Sequence, residues 1–232
     1  MSPQIPLALR FPPDQQFAAF HGSEPARLAA QAVASGASID WLFLAGPQGS
    51  GKSHLLMAAC ACAEQQGMPA RFLPLARLIG QLTGLLEGPP PAGLVCLDEV
   101  DVVAGHHDDE VALFHFHNSA RGAATRLIYA STLMPSALPW TVPDLRSRLQ
   151  QCTRLALSPL DEPARRSVLR ERAARRGLEM DEAVLDYLFR HVGRDLGGLT
   201  VVLDQLDHAS MAAQRRLTVP FVRQQLFPRA DG

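Results

Sequence analysis

The amino-acid sequence predicts an α/β fold with a parallel five-stranded sheet, followed by a small domain that contains only helices. Two observations lead to this prediction. Up to residue 158, short apolar runs that are typical of buried strands alternate with stretches of helical periodicity, as in a parallel sheet with crossover helices. Beyond Ser158-Pro159-Leu160 only helical patterns continue. We therefore expect two domains with a boundary at residue 158.

Each predicted strand is a short apolar run bounded by polar residues, Gly or Pro. The predicted strands cover residues 41–45, 71–75, 93–98, 126–132 and 153–157. The predicted helices have apolar residues at helical spacing, and several end at Gly or Pro. They cover residues 25–35, 54–66, 76–86, 110–120, 161–176, 181–192 and 195–216, and a short helix begins after Thr218. Asp181 and Thr218 are predicted N-caps.

The composition excludes several classes of protein. The net charge of −1 gives no bulk attraction to nucleic acid or to an anionic membrane. No apolar run approaches the roughly 18 residues of a membrane span, and the N-terminus lacks the basic and apolar regions of a signal peptide. The 4 cysteines form no C-x-x-C pair, which favours reduced thiols over a disulfide or a metal site. We expect a cytoplasmic protein that does not enter a membrane.

Residues 46–53 read GPQGSGKS and match the P-loop pattern G-x-x-x-x-G-K-[ST]. They lie between a predicted strand and a predicted helix, which is the setting that a phosphate-binding loop requires. Backbone N–H groups would bind the phosphates of ADP or ATP, Lys52 would reach the outer phosphates, and the Ser53 hydroxyl would ligate Mg²⁺. The predicted nucleotide contacts are Gly46, Gln48, Gly49, Ser50, Gly51, Lys52, Ser53 and His54.

Two carboxylates close the predicted strand at 93–98. In P-loop proteins a strand-end Asp holds the metal directly or through water, so Asp98 is expected at the Mg²⁺ together with Ser53. The adjacent Glu99 is the candidate catalytic base that would polarise an attacking water. Ser131 and Thr132 end the next strand, where a hydroxyl would either contact the γ-phosphate or cap the strand.

Three groups of arginines have alternative interpretations. Arg146 and Arg148 precede the last strand, where an arginine either forms a surface ion pair or reaches a neighbour's nucleotide and accelerates phosphoryl transfer by about 10³- to 10⁵-fold. Arg194 opens a helix, where a cation opposes the helix dipole; it would contact a nucleotide phosphate or pair with Asp195. The helix at 161–176 carries six arginines, which indicate a solvated face or a surface for phosphates. They are residues 165, 166, 170, 172, 175 and 176.

Histidines are concentrated at residues 106–107 and 115–117, beside acidic residues at 108–110. No complete set of metal ligands with standard spacing accompanies them. We therefore predict that these residues form a loop and the surface of a helix.

These motifs occur in the order that is shared by AAA+ ATPases, and the chain resembles the DnaA/Hda family of AAA+ proteins over nearly its whole length. Residues 51–56 are similar to the P-loop of DnaA, and residues 203–222 are similar to the C-terminal region of Hda. The resemblance implies an AAA+ P-loop NTPase domain at 11–158 and an all-α lid domain at 159–232. It also implies that Arg148 is an arginine finger and Arg194 the sensor-2 arginine. Thr132 departs from the Asp that DnaA relatives often carry there.

The resemblance further implies a peptide that binds the sliding clamp of DNA polymerase. Hda proteins begin with a segment of the pattern Q-L-[SD]-L-P-L. In the flexible segment 1–10, the matching or conservatively changed residues are Gln4, Ile5, Leu7 and Leu9, whereas Pro6 and Ala8 depart from the pattern. A glutamine and spaced aliphatic residues in an extended segment suit a preformed apolar pocket.

The expected function is regulatory inactivation of the replication initiator DnaA. A nucleotide-bound adaptor, tethered to the clamp, would use Arg148 in trans to stimulate ATP hydrolysis by DnaA and so prevent re-initiation, while its own hydrolysis stays weak. The chain ends after the lid helices, so we expect no helix-turn-helix domain and only indirect contact with DNA. Self-association stays open. The alternatives are an AAA+ motor or loader that uses its own ATP turnover and, less favoured, a small-molecule nucleotide kinase.

Overall fold

The computed structural model describes residues 15–38, 40–192, 196–213 and 216–227. The chain forms two compact units, and the division between them lies between Pro159 and Leu160. Each unit has its own apolar core. Within the described ranges, no helix is long and apolar enough to cross a membrane.

The first unit is built around one five-stranded parallel sheet, which confirms the predicted fold class. The strand order is β2-β3-β4-β1-β5, and every neighbouring pair is parallel. All residues of β1 and β3 are buried, which explains why these strands read as uninterrupted apolar runs. The strands are β1 Leu42–Ala45, β2 Ala70–Pro74, β3 Gly93–Asp98, β4 Thr125–Ser131 and β5 Thr153–Ala156.

Helices cover both faces of this sheet. Alternate residues of β1 face opposite sides, so Leu42 and Leu44 join one apolar core and Phe43 joins the other. The first core includes residues of α1 and α2, and the second includes residues of α4 and α5. The helices of this unit are α1 Glu24–Ser35, α2 Lys52–Gln65, α3 Leu82–Leu85, α4 His107–Gly122 and α5 Pro143–Gln150.

The predicted helix at 76–86 is wrong. This segment forms a short 3-10 helix at Leu75–Arg77 and the one-turn helix α3, and between them Gly80 has the left-handed φ of +77°. The backbone N–H groups of Gly80 and Leu82 donate to the Asp109 carboxylate on α4, at 2.6 and 3.2 Å. A buried carboxylate from a distant helix thus stabilises the break, and the local apolar spacing did not reveal it.

In its described residues, the second unit contains four helices around a separate apolar core. Asp161, Asp181 and Thr218 accept hydrogen bonds from the first turns of α6, α7 and α9, which confirms the predicted N-caps at 181 and 218. Apolar side chains of these helices and of α8 form the core. The helices are α6 Glu162–Arg175, α7 Glu182–His191, α8 Leu196–Ala213 and α9 Val219–Leu226.

Several of the clustered arginines bind partners inside this second unit. The Arg166 guanidinium donates to Asp186 at 2.7 Å and lies over the Phe189 ring, 4.9 Å from its centroid. The other connections from this cluster are Arg170 to Glu182, Arg172 to Thr200 and Arg176 to Asp204. These bonds connect α6 and the residue after it to α7 and α8. The guanidinium groups therefore stabilise the packing of these helices and do not only form a solvated surface. This use of the charges also weakens the alternative of a phosphate-binding surface.

Candidate nucleotide-binding site

The P-loop lies between β1 and α2 and requires glycine at several positions. Gly49 and Gly51 have left-handed φ angles of +77° and +91°. A Cβ atom on Gly46 would stand 2.4 Å from the Leu157 carbonyl oxygen, and one on Gly51 would stand 2.7 Å from the Phe20 ring. Gly51 is also the N-cap of α2 and offers no capping side chain. The N-cap therefore leaves room for an anion at the start of α2, as phosphate binding requires.

Lys52 is buried against the loop that precedes it. Its side chain is only 8% exposed, and Nζ donates to the carbonyl oxygens of Gly46 at 2.5 Å and Pro47 at 2.9 Å, with the Ser50 hydroxyl 3.5 Å away. Burial lowers the pKa of Lys52, and the charges of Asp98, Asp101 and Glu99 act in the opposite direction. Lys52 is the single lysine in the sequence. To reach a phosphate it must exchange these carbonyl contacts for the anion.

Asp98 meets Ser53 at the end of β3. The Asp98 carboxylate is 4% exposed, lies beside the Ser53 hydroxyl, and accepts the Glu99 N–H at 3.0 Å. Burial raises the pKa of Asp98, whereas Ser53, the Glu99 N–H and the Lys52 charge lower it. The structure therefore brings together the two side chains that were predicted to act at a Mg²⁺ ion.

Glu99 has an unusual backbone conformation for a residue other than glycine. Its φ is +58°, in the left-handed region that costs about 1 kcal/mol or more. Burial first, and then the neighbouring charges of Asp98 and Asp101, raise the pKa of Glu99, while Arg77 and Lys52 lower it. Backbone strain and a raised pKa are common at functional sites. Both are consistent with a carboxylate that acts as a general base toward water.

Asp101 is a residue of this site that the sequence prediction missed. It accepts the backbone N–H of Thr132 at 3.0 Å and the Thr132 hydroxyl at 2.8 Å. The Ser131 hydroxyl accepts the Leu133 N–H at 3.3 Å, and the Ser131 carbonyl accepts the Gly46 N–H at 3.1 Å. These contacts favour the capping interpretation of both hydroxyls. The available signal was a third carboxylate closely following Asp98 and Glu99.

An aromatic segment also packs on the P-loop and was not predicted as part of the site. A 3-10 helix at Phe17–Ala19 precedes Phe20, whose ring contacts Gly51 and lies 5.6 Å from the His54 ring. The ring nitrogen Nε2 of His54 donates to the Gln16 carbonyl at 3.0 Å. His54 therefore links the start of α2 to the segment before α1. Gln48 is exposed on the loop.

Arg148 lies in the last turn of α5 and is half-buried, whereas Arg146 on the same helix is exposed. Among the residues that the structure describes, neither guanidinium has a salt bridge or a hydrogen bond. The Arg148 charge acts on the buried His117, whose pKa it helps to lower. Arg194 and the peptide residues Gln4, Ile5, Leu7 and Leu9 lie outside the described residues.

The prediction that the histidine-rich region forms only a surface is wrong in part. His117 is fully buried; its Nδ1 lies 2.9 Å from the Tyr129 hydroxyl, and its ring makes an edge contact with Trp41. Burial first, and then the charges of Arg121 and Arg148, lower the pKa of His117 to about 4. On α4, residues three or four apart share the face that packs on the sheet, so this histidine enters the core.

The acidic residues Asp109 and Glu110, close to these histidines, are also buried, with 3% and 0% exposure. His106 and His107 are exposed, as predicted. Within the part of the chain that the structure describes, no group of three or more histidine, cysteine or acidic side chains could hold a metal ion by itself. All four cysteines are free thiols.

One family model and several solved structures are similar to this chain. Residues 161–226 match the family model described as the lid domain of Hda. The whole fold is similar to domain III of the replication initiation protein DnaA from Thermotoga maritima, with a TM-score of 0.75 and 21% identity over 93% of this chain and 97% of that one.

Two longer proteins share the fold. The AMPPCP-bound DnaA from Aquifex aeolicus has a TM-score of 0.65 and 22% identity, over 87% of this chain and 67% of that chain. The RuvB Holliday junction branch migration motor of Thermotoga maritima has a TM-score of 0.62 and 16% identity, over 88% and 66%. The chain therefore shares the fold of these proteins, and residues 161–226 are similar to the Hda lid domain.

Proposed function

We propose that this chain, a DnaA-like AAA+ protein with a lid of the Hda family, is a nucleotide-bound adaptor that stimulates ATP hydrolysis by DnaA. The single observation that carries the proposal is Arg148. A half-buried guanidinium normally pairs with a carboxylate or a carbonyl, and Arg148 has neither among the described residues. It is therefore free to bind a phosphate that another molecule presents.

Nucleotide binding by this chain rests on the P-loop. The open N-terminus of α2 and the left-handed Gly49 and Gly51 suit phosphate groups. Lys52 would hold the outer phosphates, and Ser53 and Asp98 would hold Mg²⁺, whose charge neutralises the phosphates when it is bound. A relative of this fold is bound to AMPPCP, an analogue of ATP. Both ADP and ATP fit the chemistry of these residues, and Arg194 is proposed as a further contact of a nucleotide phosphate.

The chain's own hydrolysis is proposed to be weak. Thr132 stands where DnaA relatives often carry Asp, and its hydroxyl already donates to Asp101. Because its proton is used in that bond, this hydroxyl does not donate a hydrogen bond to a γ-phosphate. The bound nucleotide would then act mainly to order the AAA+ site, and the hydrolysis that matters would take place on DnaA.

The clamp peptide would place the adaptor where it is needed. Through Gln4, Ile5, Leu7 and Leu9 the chain would bind the polymerase sliding clamp, so its contact with DNA would be indirect. Tethering raises the effective concentration of Arg148 near DnaA without any new contact between the two AAA+ proteins. Hydrolysis of the DnaA-bound ATP after replication starts would then prevent re-initiation in the cytoplasm.

A motor or loader with its own ATP turnover is the second candidate function. Lys52, Asp98 and Glu99 are all in place, and the strained backbone and raised pKa of Glu99 favour a catalytic carboxylate. Measurement of ATP turnover by the isolated chain separates this candidate from the adaptor.

The decisive experiment compares Arg148→Ala with Arg146→Ala in a DnaA hydrolysis assay. DnaA carrying labelled ATP is mixed with clamp-loaded DNA and with each variant. Arg148→Ala is expected to reduce stimulated hydrolysis to the level without adaptor. Arg146→Ala removes an equally unpaired arginine from the same helix and should leave stimulation intact. Full stimulation by Arg148→Ala would overturn the proposal.

A further inference from the structure

We infer that Glu110 on α4 is the positioning residue for Arg148, because it holds the backbone that leads into α5. The inference rests on the proposed role of Arg148 in trans. Glu110 itself touches no reacting group. It would act by fixing the direction and the start of the helix that carries the arginine.

The Glu110 carboxylate is fully buried and accepts three backbone N–H groups. Oε1 accepts from Gly105 at 2.7 Å, and Oε2 accepts from Val142 at 2.7 Å. The N–H of Thr141 lies within 3.1 Å of Oε1 and 2.9 Å of Oε2. With 0% exposure, the carboxylate has exchanged its hydration for these bonds, so losing one leaves a buried polar group unpaired.

The bonds to Thr141 and Val142 supply the N-terminal cap that α5 lacks. Val142 is the N-cap of α5 and makes no capping bond with its own side chain, and Pro143, the next residue, has no N–H. A carboxylate at this end of a helix also has a favourable interaction with the helix dipole. Trp140 further stabilises the approach, since its ring N–H donates to the Pro135 carbonyl at 2.9 Å.

The third bond connects the same carboxylate to the nucleotide side of the unit. Gly105 follows the 3-10 helix Val100–Val103, which begins directly after the strained Glu99. Glu110 therefore joins the segment after β3 to the entry of α5. α5 has only eight residues, and Arg148 lies in its last turn. A change in the direction of α5 at its start therefore displaces Arg148.

Glutamine cannot replace this carboxylate. The amide of Glu110→Gln has one oxygen and one NH₂ group, and the NH₂ would face an N–H donor on either the Gly105 side or the Val142 side. Aspartate is shorter and keeps the charge, but it cannot reach both sides at once. Each variant should loosen the α5 entry and leave the P-loop itself unchanged.

The test measures stimulated DnaA hydrolysis with the full chain at increasing adaptor concentration. A misplaced catalytic group lowers the maximal rate of hydrolysis without weakening the binding of the adaptor to DnaA. Glu110→Gln is thus expected to lower the maximal rate by about tenfold or more, at an unchanged half-saturating concentration. The matched control is Asp109→Asn, a buried carboxylate on the same turn that binds Gly80 and Leu82 instead; its maximal rate should equal that of the wild type.

Amide hydrogen exchange supplies a readout on the same proteins. Glu110→Gln should speed exchange at Thr141 and Val142 and leave Gly80 and Leu82 protected. If the variant is too unstable for assay, Glu110→Asp is measured in its place and should show a smaller loss of the same kind. Wild-type exchange at Thr141 and Val142 in either variant would overturn the inference.

Two single variants separate this inference from the proposed function. A wild-type maximal rate for Glu110→Gln would overturn the positioning role while the adaptor function stands. A wild-type rate for Arg148→Ala would instead overturn the proposed function.

Discussion

Asp101 holds Thr132 through two hydrogen bonds, one to the backbone N–H at 3.0 Å and one to the hydroxyl at 2.8 Å. Asp101 follows β3 and Thr132 follows β4, so the pair joins two adjacent strands at their carboxyl ends. Ligands of parallel sheets bind at this edge, and the P-loop follows β1 at the same edge. The contact therefore stabilises the platform beside the nucleotide site without offering the hydroxyl to a phosphate.

Thr132→Val tests this assignment. Loss of one hydrogen bond at an exposed position should lower the free energy of unfolding by about 1 kcal/mol, while the affinity for MgADP stays unchanged. Ser53→Ala is the control, because it removes a side chain that is proposed to hold the metal and should weaken Mg²⁺-dependent binding. Urea unfolding and titration with a fluorescent nucleotide measure the two quantities. Weaker nucleotide binding by Thr132→Val would show that the hydroxyl contacts the nucleotide.

Lys52 allows a direct chemical test of the P-loop, because it is the single lysine in the chain. Phosphates that bind the Lys52 ammonium should protect it from an amine-reactive reagent. MgADP is expected to reduce labelling of Lys52 strongly, as measured by peptide mass spectrometry. The N-terminal amine reacts in the same sample and is the internal control. Equal labelling of Lys52 with and without nucleotide would contradict phosphate binding at this loop.

Glu99→Gln distinguishes the adaptor from the motor. The substitution removes a basic carboxylate at nearly constant volume. If the chain is an adaptor, the isolated chain should hydrolyse ATP slowly, and Glu99→Gln should leave the stimulation of DnaA intact because the hydrolysis then takes place at the DnaA site. Steady-state turnover and clamp-dependent DnaA hydrolysis are measured for both proteins. Rapid wild-type turnover that Glu99→Gln abolishes would favour the motor.

The clamp peptide is tested with Gln4→Ala and with deletion of residues 1–9. Both changes should reduce retention by immobilised sliding clamp and should lower DnaA hydrolysis on clamp-loaded DNA, since tethering is lost. Gln16→Ala changes an exposed glutamine outside the peptide and should retain binding. Undiminished clamp binding after the deletion would show that the tether lies elsewhere.

His117 predicts a loss of stability on acidification. Its pKa is lowered to about 4 in the folded chain, below the value of about 6.5 for an unfolded histidine. The unfolded state therefore binds the proton first, and stability should fall as the pH decreases from about 6.5 to 4, by about 3 kcal/mol at most. Urea unfolding at several pH values measures this slope.

Two histidine variants isolate that contribution. His117→Gln should have a shallower dependence on pH than the wild type, because the buried titrating group is absent. His115→Gln changes an exposed histidine on the same helix and should keep the wild-type slope. Identical slopes for all three proteins would assign the acid sensitivity to other groups.

The local patterns of the sequence contained much of the fold and part of the site. Short buried strands and helices have characteristic periods, so the parallel sheet and the separate helical unit could be predicted. The P-loop and the acidic pair Asp98-Glu99 are each a short contiguous motif, so both could be recognised from the sequence. Asp98 lies beside Ser53 because the carboxyl ends of parallel strands lie at the same edge of the sheet. The helix at 76–86 failed because its break depends on Asp109, which is distant in sequence.

By itself, the sequence determined the sheet, the phosphate loop and the acidic strand end, because each depends on neighbours along the chain. Only the tertiary structure decided what Asp101 and Glu110 do, since each binds backbone 31 residues away. It also decided that His117 is buried and that Arg148 is unpaired among the described residues. The reason is physical, because the residue type of a carboxylate or a guanidinium does not reveal whether the side chain is exposed or buried. Its role depends on the groups that folding brings within hydrogen-bond distance.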